Sequence, residues 1–319
     1  MKDVRTLLSE NQISVVLVGL VAGLLLPGVF RVFHPWNTLL LQIIFFLSAL
    51  RVNIKDLKVY AVDWKMHILT AGFMLVVLPF AVYYPLAPFA PDWALAFMIA
   101  LAAPTGMTIA LIADFFGGKT SLALIIVLVT SVLAPFTIPS VVQITVGQSV
   151  PIDSIGMLRS LAEVIILPFL LAFLFQRFAP KLAARGDTVW RTTSVAVFGI
   201  LIASIVSKAT AGASVGTGAT PLIADLNTVL MLLVVFGYLA FLIWLSFRMV
   251  FWRNAPERIT IALCMVYMNF TLSLYIADRF FAAQRVVPKL VVILLLLNLL
   301  LPFFKIAAAR VVAHEKQKR

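Results

Sequence analysis

Charge is scarce in this chain of 319 residues: 12% are Asp, Glu, Lys or Arg, against 63% in the hydrophobic set. A soluble domain carries about 25% charged and about 45–50% apolar residues. Mean hydropathy is +1.09. These figures exclude a soluble globular enzyme, a disordered chain and a collagen. Cysteine is almost missing. The single Cys264 cannot close an internal disulfide, and one thiol with three histidines makes no zinc cluster. No hydrolase, kinase or dinucleotide motif occurs, so neither an enzymatic activity nor a cofactor is expected. What the sequence does have is apolar runs, and they point to an all-α polytopic membrane protein.

A helix needs about 20 apolar residues to cross a hydrocarbon core about 30 Å thick. Ten stretches meet or approach this length: 13–33, 38–53, 66–86, 92–116, 119–146, 155–178, 189–208, 221–250, 257–281 and 286–308. The first is too long for a signal peptide, lacks a small-residue cleavage site and follows Lys2, Asp3, Arg5 and Glu10. Of the 25 Lys and Arg residues, 19 fall on one side of the resulting topology and 6 on the other. The positive-inside rule puts the 19 in the cytoplasm, with both termini, in a plasma (inner) membrane. The net charge of +12 is then orientation charge and contact with anionic lipid, and nucleic acid is not expected as a partner.

Ten spans divide into five plus five. An odd number per half makes the second half enter from the opposite side, the inverted-repeat plan of many secondary transporters. Leu26-Pro27 in span one corresponds to Leu167-Pro168 in span six, and spans four and nine are each interrupted by polar residues. The longest polar connection, 209–220, is a small-residue loop on the outside, and the tail 312–319 is basic.

In lipid, unwound backbone survives only where protein or a wet cavity covers it. Span four carries Ala103-Pro104-Thr105-Gly106 near its middle. Pro104 removes an amide donor and Gly106 adds freedom, so either a break or a simple proline kink is expected. Thr105 and Thr108 can bond freed carbonyls or a ligand. In span nine Tyr267, Asn269, Thr271, Ser273 and Tyr275 alternate with apolar residues. A stretched crossover fits this pattern, and so does interhelical polar glue.

At these two spans the sequence resembles the bile acid:sodium symporter family, including its bacterial members. The resemblance extends to ten spans, the Pro-x-Gly break, and the stretch 119–139, KTSLALIIVLVTSVLAPFTIP, with Pro135 and Pro139. It includes Arg258 through Asn269 and the second span, LQIIFFLSALRVNIKDL. The resemblance implies a single membrane domain in two parts. A panel comprises 13–53 and 155–208, and a core comprises 66–146 and 221–308. Helices 4 and 9 break and cross near the membrane centre, substrate binds beside the crossing, and access alternates as one part moves against the other. On this basis Pro104, Thr105, Gly106, Thr108, Asn269 and Thr271 are the expected substrate-facing crossover.

The departures from the family pattern are equally informative. The family's span-four motif is Pro-Gly-Gly-Thr-x-Ser-Asn, and its Ser and Asn ligate sodium. Ile109 and Ala110 stand there in this sequence. The completing Ser and Thr of span five correspond to Ala123 and Val127. The span-nine motif Glu-x-Gly-x-Gln-Asn corresponds to Cys264, Val266, Met268 and Asn269, and the span-three Gln is Met74, five residues before Pro79. Sodium needs several oxygen ligands and a carboxylate to offset its charge. With seven ligand positions replaced by Met74, Ile109, Ala110, Ala123, Val127, Cys264 and Met268, both family sodium sites are expected to be absent.

Other ionisable residues fall within or near spans. Glu163 lies four residues after Arg159 on one helix face. The two form either a pair that pins a helix or a proton-coupling carboxylate with an anion-meeting Arg. Asp114 is expected to cap or pair with Lys119, Asp278-Arg279 to form an interfacial pair, and Asp225 to sit in a helical first turn. His34, Trp36 and His67 have no metal-like spacing. Trp64, Trp93, Trp190 and Trp252 read as interfacial belt residues, and Cys264 as a small apolar filler.

The expected function is secondary transport of an organic anion or small amphipathic carboxylate, uncoupled or proton-coupled rather than sodium-driven. A membrane receptor or scaffold that kept the fold is the alternative from another class. An enzyme acting on lipid lacks any catalytic constellation. An arsenite-efflux-type or auxin-carrier-type relative is the other transporter reading, and the missing span-four cysteine argues against the arsenite branch.

Overall fold

The computed structural model describes residues 12–50, 63–107, 109, 112–113, 116–147, 153–185, 187–211, 226–284 and 286–318. The described residues are helical and contain no strand. The helices are α1 Gln12–Leu25, α2 Asn37–Ala49, α3 Trp64–Leu86, α4 Pro91–Ala102, α5 Thr120–Val146 and α6 Ser154–Phe178. They continue as α7 Asp187–Ala211, α8 Leu226–Met249, α9 Ala255–Val266, α10 Phe270–Phe280, α11 Val286–Leu299 and α12 Leu301–Lys318. Among the described residues six helices are long and apolar enough to cross a membrane: Pro27–Ala49, α3, α5, α6, Val229–Met249 and Val286–Ala313. Shorter apolar helices cover Pro91–Ala102 and Thr192–Lys208.

The apolar residues do not all turn inward. On α6, Met157, Leu161, Val164, Ile165, Pro168, Phe169 and Ala172 are buried. Leu167, Leu170, Leu171 and Leu174 of the same helix are 47–55% exposed. Helix α8 likewise exposes Leu230, Leu233, Val234 and Phe241. A water-soluble monomer does not present apolar belts of this extent. Helices apolar all round belong in lipid, so the chain is a multi-pass membrane protein.

Two packing groups result. Helix α7 lies on α1 and α2, and α6 lies on α2. The α1–α7 crossing depends on small residues. A Cβ on Gly23 would come within 2.6 Å of the Ala203 carbonyl oxygen, and one on Gly19 within 2.9 Å of that of Gly199. Helices without large side chains at the contact approach closely and gain backbone packing, the main attraction available in lipid. In the second group α5 packs on α3, α4 and α9, α8 packs on α9 and α11, and α11 packs on α4 and α10. The groups meet where α5 lies on α6 and where α10 lies on α2 and α7.

Side-chain caps begin several helices. Asp63 accepts from Met66 N, Asp153 from Gly156 N, Asn254 from Glu257 N and Asn269 from Leu272 N. Each satisfies an amide that has no partner inside its own helix. At the Asp63 end of the second group, Arg253 bridges Asp63 and Glu257, and Lys119 pairs with Glu257 at 2.8 Å. Burial works to raise the Asp63 pKa. The Arg253 hydrogen bond and charge, with the Met66 amide and His67, outweigh it and hold the carboxyl below its ordinary value.

Two expected placements change. Trp64 and Trp252 are exposed, consistent with a belt, whereas Trp93 is buried in the first turn of α4, the helix at the centre of the second group. Asp278 pairs not with Arg279 but with two residues far away in sequence, described below. Lys119 pairs with Glu257, and its expected partner Asp114 lies outside the described residues, as does Asp225.

Candidate functional site

Helix α4 stops at Ala102 and α9 stops at Val266, and the two unwound segments meet. Thr105 and Met268 form an antiparallel β-bridge. The amide of Gly106 donates to the Tyr267 carbonyl at 2.9 Å, and that of Asn269 to the Pro104 carbonyl at 2.6 Å. Neither break leaves these groups without partners, because each supplies what the other lacks. This is how non-helical backbone survives at membrane depth. Gly106 makes the close approach possible: a Cβ there would lie 3.1 Å from Met268 O and 3.3 Å from Tyr267 O. Span nine needs neither Pro nor Gly to open. Asn269 ends the break by capping α10.

Side chains then lock the bridge. The Thr105 hydroxyl, fully buried, donates to the Cys264 carbonyl at 3.1 Å, an acceptor in the last turn of α9. The Thr105 amide donates to Thr130 Oγ1 of α5 at 3.2 Å, and that hydroxyl donates in turn to Ile126 O at 2.7 Å. Ser273 Oγ lies 3.2 Å from Asn269 O and 3.4 Å from Ile99 O. Met74 approaches Thr105 with its sulfur 3.8 Å from the hydroxyl oxygen. It sits in the π-helical turn Phe73–Val77 of α3, and such turns recur at functional sites.

The expected site residues are distributed as follows. Pro104, Thr105, Gly106, Asn269 and Thr271 lie at or beside the crossing and are buried. Thr105 and Asn269 spend their side chains on the crossing itself. Thr108 and Ala110 lie outside the described residues. Met74, Ile109, Ala123, Val127, Cys264 and Met268 are all buried, at 0–4% exposure. Met74, Cys264 and Met268 are brought together around Thr105 by the contacts above. Arg159 and Glu163 form an ion pair at 3.0 Å with side chains 81% and 55% exposed. No group of three or more metal-binding side chains occurs among the described residues.

A second polar region follows one face of α10, and sequence reasoning did not single it out. Tyr275 OH lies 3.3 Å from Thr38 Oγ1 of α2 and 3.1 Å from Ser160 Oγ of α6. One turn further, Asp278 meets His34 Nε2 at 2.9 Å and Lys208 Nζ of α7 at 3.1 Å. The spacing Thr271, Tyr275, Asp278 is i, i+4, i+7, one helix face. The signal was there: Thr271 and Tyr275 belong to the period-two reading, and Asp278, read as a partner of Arg279, continues the same face.

Residues 13–313 match the SBF-like CPA transporter family. The uncharacterized protein YbaS of Bacillus subtilis (strain 168) is 25% identical over 195 residues, 60% of this chain and 61% of that protein. The chain thus aligns with less than two thirds of that relative's length. The family match spans nearly every described helix and both halves of the crossing. The chain belongs to the SBF-like CPA transporter family, of the bile acid:sodium symporter type.

Proposed function

We propose that the protein is a secondary transporter that moves an organic anion or small amphipathic carboxylate by alternating access, without sodium. The observation that carries this reading is the paired crossing of two broken helices, Thr105 against Met268. Half-helix ends at a protected centre supply oriented backbone dipoles for a ligand. The sodium-independent part rests on what surrounds the crossing. Six described positions where the family resemblance implies sodium ligands or their neighbours carry buried apolar or sulfur side chains. The Thr105 hydroxyl beside them donates to Cys264 O.

The architecture that goes with this function is ten spans in two inverted repeats. Helices α1, α2, α6 and α7 are the panel, and the remaining helices are the core. Support comes from contacts that pair under exchange of halves: α1 on α7 with α6 on α2, α3 on α4 with α8 on α9, and α11 on α4 with α5 on α9. The Lys and Arg distribution supports cytoplasmic termini in a plasma membrane with anionic lipid at that face. Substrate binds beside the crossing, along α10 from Thr271, with Pro104 and Gly106 on the opposite strand; Thr108, expected with them, lies outside the described residues. Glu163 is the carboxylate available to a proton-coupled cycle.

The test is uptake into proteoliposomes of three labelled probes: a sterol-conjugate anion, a pantoate-like hydroxy acid and a sulfated anion. Each is measured in sodium, potassium and choline chloride, with and without a pH gradient and with Glu163→Gln in parallel. Flux equal in the three salts is expected. Flux that stops when potassium replaces sodium overturns sodium independence. A probe that binds and never crosses overturns transport and favours a receptor.

A further inference from the structure

The seam between panel and core is closed by polar side chains at the His34 end. His34 lies in the 3₁₀ turn Arg31–Trp36, and Lys208 lies in the last turn of α7. Each takes one oxygen of the Asp278 carboxylate. A carboxylate only accepts, so the His34 Nε2 carries the proton that it donates. The Asp278 side chain is 11% exposed, while His34 and Lys208 are 30% and 40% exposed. The acid is enclosed and its two partners are partly exposed. One turn deeper, Thr38 and Ser160 hold Tyr275 OH. Ser204 donates to Asn37 Oδ1 at 2.8 Å, which ties α7 to the start of α2 and fixes the spacing of the panel groups. Four panel segments therefore converge on two core side chains of α10.

The charged groups at the opposite end are arranged differently. Lys119–Glu257, Arg253–Asp63 and Arg253–Glu257 all stay within the core. The inner half of the broken helix, α9, packs on α5, α8 and α12, whereas the outer half, α10, packs on α2 and α7 of the panel. Separation of the two bodies at the His34 end requires both oxygens of Asp278 to give up their partners.

We propose that His34 and Lys208 form a carboxylate-binding pair at this mouth, and that Asp278 is a tethered carboxylate occupying it in the closed state. The proposal rests on the alternating-access reading and adds to it where a carboxylate first engages. A donor N–H and an ammonium held about one carboxylate width apart by Ser204–Asn37 is a site for that group, whichever molecule carries it. Asp278 occupies the site while α10 is docked on the panel. When α10 withdraws, the pair is freed to receive an incoming carboxylate, and an incoming carboxylate in turn competes with the latch. A tethered ligand acts at an effective concentration in the millimolar range, so a free monocarboxylate opens the latch only at about that concentration.

The experiment uses detergent-purified full-length protein with Ser160→Cys as a reporter in the seam. Cys264 is wholly buried, so the protein without the reporter is the blank for maleimide labelling. Asp278→Asn is expected to raise the reporter's labelling rate about tenfold. Lys208→Met, at a more exposed position, is expected to raise it as well, and the double variant no further. Benzoate at millimolar concentration is expected to accelerate labelling of the reporter protein, and its neutral isostere benzamide is not. Lys208→Met is expected to abolish the benzoate effect. Unchanged labelling in both single variants overturns the latch. Equal action of benzoate and benzamide, or none by either, overturns the anion site. The labelling readout needs no transport, so absent flux in every variant alongside these labelling changes refutes the transporter reading and leaves the site standing.

Discussion

Thr105→Val removes one hydroxyl and keeps the shape of the side chain. In the folded protein it deletes the 3.1 Å hydrogen bond to Cys264 O and the weak contact with Met74 sulfur. It leaves the backbone bridge and the Thr105 amide's bond to Thr130 in place. Two magnitudes bear on the cost. Hydrogen bonds between membrane helices average about 0.6 kcal/mol by double-mutant cycles, with a maximum of about 1.7. A buried acceptor left without a partner costs about 1–3 kcal/mol. Thr105 is fully buried, and the Cys264 carbonyl lies in the last turn of α9, where the helix itself no longer guarantees a donor. The upper part of the first range and the lower part of the second overlap, which gives about 1–2 kcal/mol. For a chain of this size that lowers the thermal midpoint by roughly 1.5–3 °C. The assay is thermal unfolding of purified protein in detergent, with Thr105→Ser as the control. Serine keeps the donor and loses a methyl group, so it is expected to fall between the parent and Thr105→Val. A midpoint for Thr105→Val equal to the parent's, or Thr105→Ser less stable than Thr105→Val, refutes the claim that the hydroxyl holds the crossing.

The other predictions concern the two ends of the scaffold. Gly23→Val forces a side chain to within 2.6 Å of the Ala203 carbonyl oxygen. It is expected to destabilise by about 1–3 kcal/mol through overpacking, read as a lower thermal midpoint, whereas Gly28→Ala, with open space around it, is expected to change little. Asp63 has a depressed pKa, so it contributes stability above its ordinary value of 3.8, and that contribution is lost as pH falls through the lower folded value. Asp63→Asn is therefore expected to lower the thermal midpoint at pH 7 and to converge with the parent at the acid end of a pH series. A gap that persists unchanged at the lowest pH counts against an ionised Asp63–Arg253 pair.

Much of the crossing was legible in the sequence for a local reason. Pro104 deletes an amide and Gly106 admits a neighbouring backbone, so the weak point of span four is a property of the residues at that point. Span nine was legible only as an oddity. Its chain opens at Tyr267 to Asn269 because the partner segment offers backbone groups to pair with, and no local pattern announces a partner 160 residues away. The residues expected to face substrate divide for the same reason. Thr105 and Asn269 have the right chemistry for a ligand, but folding brings Cys264 O and the first turn of α10 within reach, and these take the Thr105 hydroxyl proton and Asn269 Oδ1.

Composition and the length of the apolar runs by themselves determined that this is an all-helical protein of the membrane. Continuous apolar runs of about 20 residues satisfy their backbone in lipid as helices, and charge is too scarce for a soluble domain's surface. Sequence alone also determines that Met74, Ile109, Ala110, Ala123, Val127, Cys264 and Met268 offer no side-chain oxygen in any fold. Tertiary structure alone decided which polar groups meet. Asp278 faces His34 and Lys208 rather than its neighbour Arg279 because adjacent residues on a helix point about 100° apart, while docking of α10 on the panel brings distant side chains within 3.1 Å. Ion-pair partners are chosen by the distance between helix faces, and that distance exists only once the helices have packed.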